Sequence, residues 1–196
     1  HPGFRAPQLA KLQQEVPAGD DWLHEAKWDG YRLIAEIRRG RVRLWSRNER
    51  EWTSQAPEIV SALEALDLDE AVLDGELVAG AGRQEDFGLL QATLAGEKNA
   101  TLSYVLFDIL QVDGVDLSGS PQYQRKALLA EILKSPPDRL VYSSHIVGRG
   151  DADALARVLD ACGEEASPAL WAEAVAAFSE GVPPGRVPKA EANISS

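Results

Sequence analysis

The sequence predicts an α+β domain in which antiparallel strands alternate with single helices, and not a doubly wound parallel sheet. Three observations lead there. Short runs with apolar and polar residues in alternation are joined by Gly-containing turns, as in Val42-Arg43-Leu44 after Arg39-Gly40. Apolar residues at helical spacing occur only in isolated segments, such as Ile59, Val60, Leu63 and Leu66. The most apolar run, residues 102–110, has the length of a strand and is far short of a membrane span. With 196 residues, 44% hydrophobic and 26% charged, the chain can bury one good core.

The elements follow in order. Residues 1–20, with Pro2, Pro7, Pro17 and Gly19, read as an extended lead-in with a short helical piece around residues 9–14. Residues 22–27 read as a strand, Asp29-Gly30 as a tight turn, and residues 31–37 as the next strand. A second turn at residues 38–41 leads into residues 42–46, giving a three-stranded meander with Lys27 near one corner. Residues 56–66 form a helix with Pro57 in its first turn. Residues 71–78 read as a buried strand whose apolar trios flank Asp74-Gly75-Glu76. Those three are either a turn between two strands or polar groups held partly desolvated, in need of a metal, cation or hydroxyl. Asp86 caps a helix that runs to Leu94 and is ended by Gly96.

Residues 102–110 read as a central strand in which Asp108 needs a partner. Residues 112–116 are a polar turn, residues 121–133 an amphipathic helix carrying Arg125 and Lys126, and residues 140–144 a strand. Asp151 opens a helix to about Cys162. The main unit thus spans residues 1–162, and residues 163–196 form an atypical tail: a helix over 172–178, then disorder beyond Gly181. Pro183, Pro184 and Pro188 lack the N–H groups of a ladder, so the tail is expected to stay out of the central sheet.

The net charge of −11 argues against a protein that coats nucleic acid non-specifically. Charge is uneven, however. Arg32, Arg38, Arg39, Arg41, Arg43, Arg47 and Arg50 face only Glu36 and Glu49 within the same stretch, a strip that either tracks a phosphate backbone or is a solvated hairpin face. Three histidines and the single Cys162 give no zinc site and no internal disulfide. There is no signal-peptide pattern, and the expected compartment is the cytoplasm. A chain that opens His1-Pro2 and contains no methionine reads as a piece of something longer or a processed product.

The chemistry concentrates in Glu25-Ala26-Lys27-Trp28-Asp29-Gly30-Tyr31-Arg32. A turn at Asp29-Gly30 would bring Arg32 near Lys27, and a like charge with partial burial lowers a lysine pKa, which makes the amine a nucleophile. The plainer reading is a hairpin with two surface cations. The full pattern, Glu-x-Lys-x-Asp-Gly-x-Arg, resembles the nucleotidyl-lysine motif of ATP-dependent DNA ligases and mRNA capping enzymes. Further stretches resemble that superfamily in the same order: Ser46-Arg47-Asn48, Asp74-Gly75-Glu76 and Tyr104-Val105-Leu106-Phe107-Asp108. Smaller echoes are Pro7-Gln8-Leu9-Ala10, Asp86-Phe87-Gly88-Leu89-Leu90-Gln91 and Asp113-Gly114-Val115-Asp116-Leu117. The pattern is most similar to the ligase domain of bacterial multifunctional end-joining ligases, over residues 2 to about 162.

That resemblance implies an ATP-grasp-like nucleotidyltransferase domain of antiparallel sheets flanked by helices, incomplete at its C-terminus. It implies that Lys27 is the nucleophile, attacking the α-phosphate of ATP to form lysyl-AMP for the sealing of DNA breaks. Glu25, Arg32, Arg47, Glu76 and Phe107 would join Lys27 in binding the nucleotide, with Phe107 under the base and Glu76 serving the ribose or a Mg²⁺ or Mn²⁺ ion. Arg41, Arg43 and Arg47 are candidate DNA contacts. The implied partners are nicked or broken double-stranded DNA and other end-joining or repair proteins, with no membrane. The family's next motif, Glu-Gly-(Val/Ile)-x-x-Lys, and its lysine-x-lysine strand are not matched after Cys162, since Glu180-Gly181-Val182 is followed by Pro183-Pro184-Gly185. Two other readings therefore stand beside the ligase: an impaired remnant that only binds nucleotide or DNA, and an RNA capping or RNA ligase-type enzyme.

Overall fold

Among the described residues the strands form two sheets, and the segment between strands of the two carries Lys27. The structure is a computed structural model that describes residues 6–7, 22–25, 27–143, 145–147 and 190–193. The first described strand, β1 (Trp22–Glu25), ends two residues before Lys27. After the segment, β2 (Tyr31–Arg38) turns back through Arg39 and Gly40 into β3 (Arg41–Ser46). Both turn residues have positive φ, 51° and 71°, the combination whose twist matches that of the flanking strands.

On its other edge β2 pairs antiparallel with β4 (Glu70–Ala79), which pairs in turn with β5 (Leu102–Val112). The short β6 (Val115–Asp116) and the parallel β7 (Leu140–Tyr142) both attach to β5. The result is a six-stranded sheet in the order β3-β2-β4-β5-β6, antiparallel except for β7. In the second sheet, β1 lies between β8 (His145–Val147), antiparallel, and β9 (Ala190–Asn193), parallel.

Period-two alternation sorts the large sheet into two faces. Leu33, Ala35, Ile37, Val42, Leu44, Leu73, Leu77, Tyr104 and Leu106 form one core with residues of α1 (Pro57–Glu64), α2 (Phe87–Leu94) and α3 (Gln122–Ile132). Fully burying a valine, leucine or isoleucine of this group stabilises by about 1.5–3 kcal/mol. The intervening residues of β2 belong to the other face, where Ile34, Trp45 and Val72 make a small separate cluster. Arg32 sits on that second face by the same alternation.

Four expectations need correction. The meander of residues 22–46 does not form, because β1 leaves for the second sheet and β4 takes the free edge of β2. Asp29-Gly30 is not a hairpin turn: Gly30 is not among the positive-φ residues, and it is glycine because a Cβ would lie 1.9 Å from the Leu77 carbonyl oxygen. Of the two readings of Asp74-Gly75-Glu76, the buried strand holds and the turn does not: the three residues are the middle of β4, with a register shift against β5 between Asp74 and Gly75. A Cβ on Gly75 would stand 2.6 Å from Val105 O and 2.7 Å from the Tyr104 ring, so close packing of β5 is what selects glycine there. Third, Asp86 takes the N-cap position of α2 but makes no side-chain capping bond to it: its Oδ2 accepts from the backbone N–H groups of Ala81 (3.0 Å) and Arg83 (3.3 Å), closing the preceding 3₁₀ turn.

Fourth, the tail is not wholly without structure beyond Gly181, since residues 190–193 supply β9. β9 pairs with β1 and not with the six-stranded sheet. The lead-in helix around residues 9–14, the helix from Asp151 and the helix over 172–178 lie outside the described residues.

Candidate active site

Three consecutive residues after Lys27 are fixed to three different parts of the molecule. The Trp28 ring is buried, and its Nε1–H donates to Ser143 Oγ at 3.0 Å. The Asp29 N–H donates to Gly82 O at 2.9 Å, and the Gly30 N–H to Glu76 Oε1 at 3.2 Å. Gly82, at φ +74°, has its α-carbon against the Trp28 ring, where a Cβ would lie 2.8 Å from Cε3. Lys27 is thereby carried on a backbone held on its C-terminal side, while its own side chain remains 45% exposed with Nζ 3.5 Å from Asp29 Oδ1.

Arg32 is held by a partner outside the Lys27 segment. Its guanidinium grips Asp74 in a bidentate contact, Nε to Oδ1 at 2.9 Å and Nη2 to Oδ2 at 2.7 Å. Burial alone would lower the arginine pKa, but the hydrogen bond and charge of Asp74 hold it above its usual value. Burial pushes the Asp74 carboxyl upward against the pull of Arg32. Two short N–H donors on one carboxylate are the geometry of an ionised pair, and we take both groups as charged. The same guanidinium lies over the half-buried Phe107 ring, 4.8 Å from its centroid.

Glu76 faces Arg32 directly across the β2–β4 ladder. Burial raises its pKa to about 7, opposed by the charge of Arg32 and the Gly30 N–H, with Asp74 and Asp29 adding to the rise. Among the described residues, only the Gly30 N–H donates to it. A desolvated carboxylate with spare lone pairs suits a hard divalent cation. No group of three or more His, Cys, Asp or Glu that could cage a metal occurs among the described residues, so an ion here would complete its shell with water and phosphate oxygens.

The remaining residues are less gathered. Glu25 ends β1, opposite His145 and Asn193. Arg47 is exposed one residue beyond the Leu33–Ser46 pair, at the same end of the sheet as Arg32 and Glu76. Arg41 is exposed at the other end of the hairpin, paired with Arg38. Arg43 is held by Glu51 in a bidentate contact of 3.1 and 2.9 Å and lies 4.7 Å over the Trp45 ring.

Sequence reasoning assigned Glu76 a role but passed over Asp74 as the partner that orients Arg32. It required a partner for Asp108 without naming Arg125, whose Nε and Nη2 reach the two carboxylate oxygens at 2.8 and 3.1 Å. Arg125 and Lys126, expected on an amphipathic helix, are both buried. Nothing in the spacing marked this, because adjacent positions lie about 100° apart on a helix and a polar face accommodates both.

Comparison with known proteins gives one consistent result. A family model described as "ATP dependent DNA ligase domain" matches residues 6–166. The chain is 37% identical over 157 residues to the multifunctional non-homologous end joining protein LigD of Pseudomonas aeruginosa, covering 79% of this chain and 18% of that protein. It is 33% identical over 134 residues to DNA ligase C of Mycobacterium tuberculosis, covering 64% of this chain and 37% of that one. Among solved structures, a mycobacterial DNA ligase D complexed with ATP and MES superposes with a TM-score of 0.64 at 30% identity, covering 78% of this chain and 49% of that chain. The ligase domain of LigD from M. tuberculosis gives 0.63 at 30% identity, with 78% and 48% covered. The chain therefore spans about half of those structures and less of the full-length relatives.

Proposed function

Because this chain belongs to the ATP-dependent DNA ligase domain family, we propose that it carries the self-adenylation half of the reaction, with Lys27 as nucleophile. The Nζ lone pair attacks the α-phosphorus of ATP. An N–P bond forms, the P–O bond to pyrophosphate breaks, and the amine gives up a proton as the phosphoramidate is completed. What supports this reading most is the fixing of residues 28–30 to Ser143, Gly82 and Glu76, which holds the lysine's backbone against the group formed by Arg32, Asp74, Glu76 and Phe107. A preorganised amine and fixed charges are what such a step requires of a protein.

Phe107 offers one ring face to Arg32, and the opposite face is proposed to take the adenine. Arg32 and Arg47 would supply positive charge to the nucleotide, and Glu25 would add a contact from β1. Glu76 is the proposed holder of Mg²⁺ or Mn²⁺, which would neutralise charge on the triphosphate. In the full-length protein the AMP would pass to a 5′-phosphate of nicked or broken double-stranded DNA, with other end-joining or repair proteins as partners. Arg41 and Arg47 are the proposed phosphate contacts; Arg43 would first have to exchange Glu51 for a phosphate. No described helix is long and apolar enough to cross a membrane, and we place the protein in the bacterial cytoplasm. We further propose that residues 1–162 form the adenylation unit, with 163–196 an addition to it.

Competitive binding of ATP and GTP to the full chain tests the nucleotide assignment. ATP is expected to bind better, and Phe107→Ala to weaken ATP by about tenfold, since stacking on an aromatic ring contributes about 1–3 kcal/mol. A clear preference for GTP overturns the ligase reading in favour of a capping-type transferase.

A further inference from the structure

A buried cation joins the two halves of this site from behind. Lys126 is fully buried on α3, and its ammonium donates to two backbone carbonyls, Phe107 O at 3.0 Å and Ser143 O at 3.2 Å. It also lies 5.4 Å over the Tyr142 ring. Phe107 is the proposed base platform. Ser143 is the residue whose hydroxyl accepts the Trp28 indole N–H, one position from Lys27. The Ser143 backbone N–H is in turn bound to Leu106 O at 2.8 Å. A continuous path of short polar contacts thus runs from Phe107 through Lys126 and Ser143 to Trp28.

Burying an ammonium is costly, and a lysine there is retained only where its donors are used. Leu129, one turn along α3, packs into the main core as an ordinary apolar residue. Arg125, next to it, binds Asp108 at 2.8 Å, so two adjacent side chains of α3 clamp two adjacent residues of β5.

We propose that Lys126, acting through Ser143 and Trp28, is a positioning residue that sets the distance between the base platform and the backbone bearing the nucleophile. The claim rests on the adenylation reading above. It assigns Lys126 no contact with substrate: the ammonium is fully buried against two main-chain oxygens and the Tyr142 ring. Its chemistry is to fix two carbonyls at once, which neither an apolar residue nor a single hydroxyl can do.

The test uses the full chain, ¹⁵N-labelled, with ATP as the probe. The Trp28 indole N–H resonance is identified by its loss in Trp28→Phe. ATP is expected to shift it in the parent chain, and to leave it unmoved in Lys126→Met, which keeps the side-chain volume and removes the donors. Adenylation of Lys27 is expected to fall by about 10–100-fold in Lys126→Met, the scale of a small misplacement of reacting groups, with ATP affinity within about threefold of the parent. Lys126→Arg should recover most of the rate. Where Lys126→Met fails to fold by thermal melting, Ser143→Ala carries the test by both readouts, cutting the path at its other end, and Trp28→Phe adds the adenylation rate and ATP affinity.

A parent resonance that ATP does not move, or one that ATP still moves in Lys126→Met or Ser143→Ala, overturns the proposal. So does a loss of rate and affinity in equal measure, which is the behaviour of a merely structural lysine. A parent whose indole responds to ATP but which forms no lysyl-AMP overturns the nucleophile reading and leaves the bridge in place.

Discussion

Glu76 has the protonation behaviour with the clearest consequence at the scale of single residues. Its carboxyl is raised from 4.5 to about 7 by burial. A raised acid is protonated more readily in the folded chain than in the unfolded one. Its contribution to stability is thus complete below about pH 4.5 and is lost as pH rises through about 7. The ligand-free chain should lose up to about 3 kcal/mol across that window from this group. Glu76→Gln should flatten the loss and melt higher at about pH 8. Mg²⁺ with ATP should restore the parent's stability on the alkaline side, because the metal role proposed for Glu76 uses its ionised form. Melting curves across pH with and without Mg-ATP check both statements.

Glycines give a second prediction at the same scale. Gly75→Ala should cost about 1–3 kcal/mol, since its Cβ would press on the Val105 carbonyl and the Tyr104 ring. Gly88→Ala, within α2 and with nothing within 4 Å of the added carbon, should instead stabilise by about 0.5–1 kcal/mol. Denaturant midpoints of the two variants against the parent decide this. The same contrast explains part of what the sequence concealed. Asp-Gly reads as a turn because glycine tolerates positive φ, yet Gly30 and Gly75 are chosen here for backbone approach, which depends on a neighbour far along the chain.

At the scale of elements, the strands of the large sheet were legible because period-two alternation is local. β2, β3, β4 and β5 all lie where alternation or an apolar run placed them. Which strand pairs with which was not legible. The Arg32–Asp74 contact joins residues 42 apart, and nothing within either segment names the other. The departure of β1 for a second sheet was hidden for the same reason. The buried Arg125–Asp108 pair offers the prediction that belongs here. Arg125→Met should destabilise by about 3–5 kcal/mol by leaving Asp108 buried and unpaired, and Asp108→Leu in the same chain should recover most of it. Equilibrium unfolding of the single and double variants reads this directly; equal destabilisation in both would remove the pair from the account.

Across the whole molecule, the balance is an acidic chain with one basic edge. The net charge of −11 coexists with the arginine-rich β2–β3 hairpin, where Glu36 sits beside Arg38 and Glu51 beside Arg43. Those carboxylates neutralise part of the strip, so Arg41 and Arg47 are expected to dominate contact with a duplex. Each of Arg41→Ala and Arg47→Ala should reduce the salt slope of binding to nicked duplex by about 0.9. Arg43→Ala should change it less, because its fork is already occupied. Fluorescence anisotropy over a range of salt separates the three.

The central claim is that the held segment after β1 presents Lys27 as the group that accepts AMP. Incubating the full chain with ATP and Mg²⁺, then locating the added mass by peptide mapping, tests it with least inference. The expected result is one AMP on the peptide containing Lys27, acid-labile as a phosphoramidate, and none in Lys27→Ala. An adduct on another residue, an adduct that persists in Lys27→Ala, or a parent chain that binds ATP and stays unmodified would contradict the account.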